Sequence, residues 1–231
     1  MDDMWRLSGE CMVGFARRPR GWRSALPSAL SPLFGPIAVI GVRYDVSPVG
    51  PYIELSVAEP ARLGLRTGLC VTTMAVTSPA ARALCRQRWE LPTEVAAMTW
   101  SGDSEERSLV WEEREIVLRG RPRGPWLPVI LPLRSLQGGP SGPVVAPRRM
   151  RGRLRMAAVV VEAPEGDRLA TLAGRHPGVM SGALSMVAHP PRRPTGLFSS
   201  IPLRVPNLAP GPEPAGLTAT MAELRAYGSV G

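Results

Sequence analysis

The stretch RQRWELPTE at 86–94 concentrates charged side chains beside a tryptophan and a proline. The planar guanidinium of Arg86 could hold a carboxylate or a developing enolate oxygen. Glu94 supplies a carboxylate that could act as a base. The same residues also allow plain interpretations: Arg86 could form a structural ion pair with Glu90 or Glu54, and Glu94 could be a charge at the rim of a site. This corner is therefore a candidate site whose roles stay open.

One chemical group is missing from the corner and from the whole chain. All 28 basic residues are arginine, so the 231-residue sequence contains no lysine. A protein without a lysine ammonium has no side-chain amine that could form an imine with a carbonyl substrate. The composition therefore excludes every mechanism that needs a lysine Schiff base.

A further candidate acid lies on an alternating segment earlier in the chain. Between residues 52 and 57, Tyr52, Glu54 and Ser56 share one face, and apolar side chains occupy the other. If the polar face lines a barrel, Glu54 is a buried carboxylate with a raised pKa, suited to acid or base catalysis. The alternative is a glutamate that points outward into solvent.

The elements that position these residues are predicted to be mainly strands. Ser78 suits a helix N-cap and Pro79 suits the first helical position, which predicts one short helix over 79–88. Many short alternating segments favour a closed antiparallel barrel or a sandwich. Strands are predicted at 36–44, 52–57, 68–76, 95–100, 108–111, 114–119, 126–133, 148–162, 168–172 and 179–187.

A chain of this length suits a single domain over 1–231. The segments 1–30 and 207–231 are predicted to be less regular, and 137–147 reads as a long turn-rich loop. The pattern also predicts a short extended segment at 197–205 and a short helix at 218–225.

Composition excludes several other classes of protein. No apolar run reaches the roughly 18 residues of a membrane span, and the start MDDMW is not a secretory signal, so we expect a cytoplasmic protein. Three cysteines without a CxxC pair predict reduced, mostly buried thiols. Two histidines and three cysteines at irregular spacing give no metal motif, and no cofactor is predicted.

The net charge of +9 raises the question of nucleic acid. Arg149, Arg151, Arg153 and Arg155 alternate with smaller or apolar residues, so they would form a basic stripe on one face of a strand. Such a stripe could bind phosphates, but it lacks the interleaved aromatic side chains that stack on bases. A solvated face, or one paired with the glutamates of 112–115, is the better interpretation, and nucleic acid is an unlikely partner.

The order of several segments resembles the acetoacetate decarboxylase-like family. The segments are WRLSG at 5–9, SPVGPYIEL at 47–55, GLCVTTMAV at 68–76, CRQRWELPTE at 85–94 and LFSSIPLRVP at 197–206. The resemblance implies a cone-like antiparallel β-barrel of the acetoacetate decarboxylase-like type. It also implies a small enclosed pocket and a homo-oligomer.

The signature corner of that family matches this chain only in part. Arg86 and Pro92 stand where the family has its arginine and proline, and Glu54 matches a glutamate of the family's pocket. Cys85 replaces a glycine and Gln87 replaces a glutamate.

The two departures that matter chemically are at 93 and 94. Thr93 stands where the imine-forming lysine would be, and Glu94 stands where a second lysine lowers the pKa of the first. Thr93 is expected to fill the vacated volume, and Trp89 to form core or pocket wall. Decarboxylation through an imine therefore cannot be carried over to this chain.

Two functions follow from the resemblance and from these departures. The first is an enzyme of hydratase, dehydratase, lyase or cyclase type that acts on a carbonyl or polyketide-like metabolite. In it, Glu54 moves the proton, Arg86 holds the oxyanion, and Tyr52, Trp89, Thr93 and Glu94 contact the substrate. The second is a non-catalytic protein that binds a small molecule in the same pocket.

Overall fold

A computed structural model describes residues 4–139 and 142–194, most of them in strands. In chain order the strands are β1 (Trp5–Ala16), β2 (Ser31–Pro32), β3 (Ile37–Val46), β4 (Tyr52–Leu63), β5 (Arg66–Val76), β6 (Thr93–Val95), β7 (Met98–Gly102), β8 (Arg107–Trp111), β9 (Ile116–Gly139), β10 (Gly142–Glu162) and β11 (Gly174–Ala188). The α-helix α1 spans Pro79–Trp89, and short 3-10 helices span Glu112–Arg114 and Arg168–Leu172.

The strands form one sheet that closes on itself. The neighbours run β5-β4-β3-β1-β11-β10-β9, and β9 returns to β5 through the pair Leu69 and Ser135. The first half of β9 instead pairs with β8, which pairs with β7. The pairings around the ring are antiparallel except that between β5 and β9. The predicted closed, mainly antiparallel barrel is confirmed.

The two larger hydrophobic cores lie on opposite faces of this sheet, because several strands bury side chains on both faces, and a third, smaller cluster includes Leu63, Cys70 and Leu136. On β4, Glu54 and Ser56 face one side, and Leu55 and Val57 face the other, as the period of two requires. The helix-side core packs β1, β3, β4, β5, β10 and β11 against α1. The hairpin-side core packs the sheet against the β7–β8 hairpin and the first half of β9.

Helix α1 begins and ends as local chemistry dictates. The Ser78 hydroxyl accepts a hydrogen bond from Ala81 N at 3.2 Å, and Pro79 follows the cap. The helix buries Ala81, Cys85 and Trp89, which recur every four residues and so lie on one stripe. The predicted helix is confirmed with one more residue at its C-terminal end.

The prediction that residues 1–30 are irregular is wrong for β1. Twelve of them form a strand between β3 and β11. Trp5, Leu7 and Cys11 alternate with Arg6 and other polar residues, which is a strand pattern, and the basic segment that follows obscured it.

The predicted loop over 137–147 is also wrong for its described residues, because 137–139 end β9, 142–147 begin β10, and the two strands pair there. The segment predicted as a strand at 126–133 belongs to β9, as do residues 116–119 of the one predicted at 114–119, whereas Arg114 ends a 3-10 helix. Prolines are tolerated in β9 because between 121 and 134 one of its edges has no described neighbouring strand. The segment Arg168–Leu172, predicted as a strand, is a 3-10 helix.

The predictions for 197–205, 207–231 and 218–225 lie outside the described residues. Within the described residues, no helix has both the length and the apolar character needed to cross a membrane.

Candidate active site

A small cavity opens in the helix-side core, between α1 and the strands. Its volume of about 20 Å³ is room for about one water molecule. Most of its wall is apolar, and a carboxylate, a guanidinium, two phenols and a thiol interrupt it. The lining residues are Trp5, Leu7, Tyr44, Tyr52, Glu54, Met74, Cys85, Trp89, Leu91, Arg148 and Ala188.

Glu54 brings a carboxyl group into this apolar wall from β4. Glu54 is 8% exposed, and Ser56 donates a hydrogen bond of 3.1 Å to its Oε1 atom. Burial raises the pKa of Glu54, whereas the positive charge of Arg148 and the hydrogen bond from Ser56 act in the opposite direction. Glu54 forms no ion pair with an arginine among the residues that the structure describes. A carboxyl group in this setting can hold and release a proton.

Arg148 is the cation of the cavity, and sequence reasoning did not select it. It reaches the cavity from β10, and its buried Nε atom has no hydrogen-bond partner among the described residues. The alternation of β10 could have indicated it. Arg149 and Arg151 lie on the exposed face of β10. Arg148 therefore lies on the opposite face, which also carries Ala146 and Met150, and it is a charged residue on that less exposed face. A guanidinium with a free donor can bind an anionic oxygen.

Two tyrosines and a cysteine complete the polar lining in their neutral forms. The rings of Tyr44 and Tyr52 lie 4.8 Å apart. Burial raises the pKa of each phenol well above its ordinary value, and the charge of Glu54 adds to the effect. Burial also raises the pKa of the Cys85 thiol to about 12, with Glu54 again contributing. These groups are protonated at neutral pH and can act as hydrogen-bond donors, so Cys85 is a poor nucleophile.

The aromatic wall is formed by Trp5 of β1 and Trp89 at the end of α1. Their rings meet edge to face with centroids 4.7 Å apart. Trp89 Nε1 donates a hydrogen bond of 3.4 Å to the carbonyl of His189. This bond ties the end of the helix to the chain just beyond β11, so the wall is held from two sides.

Thr93 is buried directly behind the cavity wall. It is 3% exposed, and its hydroxyl lies 3.4 Å from Met74 Sδ and 3.3 Å from the carbonyl of Leu91, to which it donates. Met74 and Leu91 line the cavity, whereas Thr93 itself does not. A longer side chain at position 93 would have to pass between these two residues to reach Glu54.

Two predicted site residues lie away from the cavity. Arg86 follows Cys85 on α1, and a step of about 100° turns it to the exposed side of the helix. There it lies in the last turn, where a cation is favourable. Glu94 follows Thr93 on β6 and therefore points to the opposite face, where it is 55% exposed and forms an ion pair with Arg114 at 3.5 Å. The structure thus places these two predicted site residues outside this cavity.

Of the six predicted site residues, Tyr52, Glu54 and Trp89 are brought together in the cavity. The three cysteines are free and buried, as predicted. Within the described residues, no group of three or more histidine, cysteine, aspartate or glutamate side chains could hold a metal ion.

Comparison with known proteins finds similarity of structure at low sequence identity. The enduracididine biosynthesis enzyme MppR, solved with pyruvate, superposes with a TM-score of 0.61 at 13% identity over 83% of this chain and 90% of its own. The acetoacetate decarboxylase from Legionella pneumophila gives 0.58 at 14% identity over 83% and 87%. An acetoacetate decarboxylase-like enzyme from Sphingomonas wittichii gives 0.56 at 14% over 84% and 94%.

No family model and no curated protein matches the sequence. The similarity is therefore one of fold: the chain has the acetoacetate decarboxylase-like fold, as the resemblance implied.

Proposed function

We propose that this protein is a small-molecule enzyme that moves a proton next to a carbonyl group without forming an imine. The observation that carries the proposal is that Glu54 and Arg148 line the same largely apolar cavity. The substrate class is a carbonyl compound with a second anionic oxygen, such as a 2-oxo acid or a β-keto acid.

The two groups have complementary tasks in such a reaction. The carboxylate of Glu54 takes a proton from the carbon next to the carbonyl, and the C–H electron pair moves to form an enolate. Arg148 binds the resulting enolate oxygen or the substrate carboxylate through its guanidinium, whose Nε atom has no hydrogen-bond partner among the described residues. The carboxyl group then returns the proton to carbon or passes it to a leaving hydroxyl. The raised pKa makes Glu54 a stronger base than an exposed glutamate.

The phenols of Tyr44 and Tyr52 support the same assignment. Both are neutral donors, so they can hydrogen-bond to the substrate carbonyl without adding negative charge to the site. The cavity of about 20 Å³ is smaller than a three-carbon acid, so substrate entry requires side chains of the wall to move. Leu91, which follows the end of α1, is the residue that we expect to move.

The proposal is tested by hydrogen exchange rather than by a guessed overall reaction. Pyruvate is the probe, because the solved structure of MppR contains it. In D₂O, proton NMR measures the loss of the pyruvate methyl signal, which reports proton removal next to the carbonyl. We expect the protein to accelerate this loss and Glu54→Gln to reduce the acceleration by a factor of roughly 100 or more. Arg148→Gln should reduce it similarly.

The matched control is Arg86→Gln, which removes the same charge outside the cavity and should leave the exchange unchanged. Equal loss in Arg86→Gln and Arg148→Gln would contradict the assignment of Arg148. Failure of the wild-type protein to accelerate exchange with pyruvate, acetoacetate and a longer β-keto acid would contradict the enzyme proposal.

A second candidate is a non-catalytic small-molecule-binding protein. It is favoured by Thr93 at the position of the family's imine-forming lysine and by the tightness of the cavity. Saturation-transfer NMR distinguishes the two functions. Binding of a keto acid without proton exchange, weakened by Arg148→Gln but not by Glu54→Gln, would favour the binding protein.

We also propose that the protein assembles as a homo-oligomer. Support comes from β9, where Leu127 is 54% exposed and Ile130 is 58% exposed along the edge that lacks a described neighbouring strand. Apolar side chains at an open strand edge favour pairing with another chain. Native mass spectrometry of the wild-type protein and of Ile130→Arg tests this: the variant should shift the population to monomer.

A further inference from the structure

A second concave site lies on the opposite face of the sheet from the cavity. It is a groove of about 340 Å³, lined among others by Arg6 of β1, Arg149 and Arg151 of β10, and Ser185 of β11. Arg148 and Ala188 face the cavity, whereas their neighbours Arg149 and Val187 face the groove. The groove is therefore separate from the proposed active site.

The strand register places the guanidiniums of Arg6, Arg149 and Arg151 around a floor formed by β11. Val187 of β11 pairs with Arg6 on one side and with Arg149 on the other. Ser185 pairs with Arg151 in the next row of the same face. Neighbouring strands lie about 4.8 Å apart, so Arg6 and Arg149 are roughly 10 Å apart at their Cα atoms, with one small side chain between them. Long arginine side chains can converge from that distance on a group of a few ångströms.

The positive charge of the groove is not neutralised by the described part of the protein. Arg6, Arg149 and Arg151 are exposed, and none forms an ion pair with a described residue. Glu10 lies farther along the same face of β1, but it is engaged by Arg43 at 3.1 Å and by Arg107. Three guanidiniums therefore share one concavity without a carboxylate.

We propose that this groove binds a diphosphate-type polyanion carried by a small molecule. Guanidinium groups offer paired donors that match phosphate oxygens, and the Ser185 hydroxyl at the floor adds a neutral donor. A volume of about 340 Å³ suits a diphosphate with part of its carrier. Apart from the imidazole of His189, no aromatic side chain lines the groove, so it offers little platform for the stacked bases of a nucleic-acid strand.

The test is isothermal titration of the full-length protein with inorganic pyrophosphate. We expect one site per chain, with an affinity that falls as salt is added. Arg149→Gln/Arg151→Gln should weaken binding by about a hundredfold, at about tenfold for each lost charged contact. Each residue is exposed, and unchanged thermal unfolding of the variants confirms that the fold is intact.

The matched control is Arg153→Gln. Arg153 is exposed on the same face of β10 and is not among the residues that line the groove. Its substitution by glutamine therefore removes the same charge without changing the site. Unchanged affinity in Arg153→Gln together with about tenfold weaker binding in Arg151→Gln supports the proposal. Equal weakening in the two variants would show diffuse attraction to a basic surface and overturn it, as would undetectable binding by the wild-type protein.

A parallel titration with ADP distinguishes recognition of the diphosphate group alone from recognition of a nucleotide that carries it. Affinity equal to that for pyrophosphate supports a site that reads the diphosphate alone, and tighter binding of ADP supports a nucleotide as the carrier. Stronger binding of a single-stranded oligonucleotide, weakened equally by Arg151→Gln and Arg153→Gln, would overturn the proposal in favour of nucleic acid.

Discussion

Two glutamates of β4 illustrate how tertiary partners divide the roles of one residue type. Glu54 and Glu59 lie five residues apart on the same strand, and both are buried. Within the described part of the chain, Glu54 receives one hydrogen bond, from Ser56, and shares its cavity with Arg148, whose Nε atom has no partner there. Glu59, at 0% exposure, is surrounded by donors.

The partners of Glu59 come from segments distant in sequence. Ser24 Oγ donates to it at 2.7 Å, Arg168 donates at 3.4 Å, and the guanidinium of Arg18 lies 3.9 Å away. Arg168 also stacks on Trp22, 4.8 Å from the ring centroid. A carboxylate with this many partners holds the segment after β1 against the sheet. A carboxyl group with few partners, like Glu54, remains available for chemistry.

Removing the Glu59 carboxylate should have the largest effect on stability. Glu59→Gln leaves two guanidiniums facing a neutral amide, and we expect a loss of about 3 kcal/mol in the free energy of unfolding. The figure is at the low end for a buried pair because the side chains of both arginines are partly exposed, Arg18 to 28% and Arg168 to 34%. Urea denaturation at pH 7 measures it.

Glu54→Gln is the matched control, because it makes the same change on the same strand. It should cost less than about 1 kcal/mol, since the raised pKa shows that burial disfavours the charge of Glu54. A larger loss of unfolding free energy for Glu54→Gln than for Glu59→Gln would contradict the assignment of Glu59 to stability and of Glu54 to proton transfer.

The pH dependence of the free energy of unfolding should show whether Glu54 has the raised pKa of a buried carboxyl group with few partners. The folded protein holds the Glu54 proton more tightly than the unfolded chain does. The stabilising contribution is therefore complete below the unfolded pKa of about 4.5 and is lost as pH rises through the folded pKa. The wild type should lose stability relative to Glu54→Gln by at most about 1.4 kcal/mol per pH unit across that window. Paired urea titrations from pH 4 to pH 9 measure the difference, and parallel curves would contradict the raised pKa.

Introducing an amine near Glu54 tests whether this cavity can support imine formation. In Thr93→Lys, burial and the charge of Arg148 lower the pKa of the new amine, while Glu54 raises it. Glu94 does not oppose this change because it points away and pairs with Arg114. We expect partial trapping by borohydride in the presence of acetoacetate, seen as a mass increase mapped to position 93.

Thr93→Met serves as the control for volume and should give no adduct at that position. A wild-type adduct at the α-amino group of Met1 would be recognised by its map position. Complete absence of trapping in Thr93→Lys would indicate that Met74 and Leu91 keep the side chain out of the cavity.

The smallest effect is expected from Arg86→Gln. Its exposed guanidinium lies in the last turn of α1, where it stabilises the helix by roughly 0.3–1 kcal/mol through the helix dipole. Ligand binding in the cavity should be unchanged. A tenfold loss of pyruvate affinity would show that Arg86 reaches the site after all.

The barrel was predictable because its signals are local. The alternation of Tyr52, Glu54 and Ser56 predicts the face of β4 that carries the carboxyl group, and Ser78 with Pro79 predicts where α1 begins. The misreadings at β1 and at the β9–β10 hairpin have a common cause. Basic residues, prolines and glycines suggested loops, whereas pairing with strands far away in sequence supplied the hydrogen bonds that hold these segments extended.

The sequence alone determined that no lysine imine can form, that Glu54 shares a face with Tyr52, and that the helix begins at Pro79 after the Ser78 cap. Only the tertiary structure decided which arginine serves the cavity. Arg86 is adjacent to the corner in sequence but turns away on the helix, whereas Arg148, 94 residues from Glu54, enters from β10. A periodic pattern specifies which face a side chain occupies, but its partners depend on how strands distant in sequence pair around the ring.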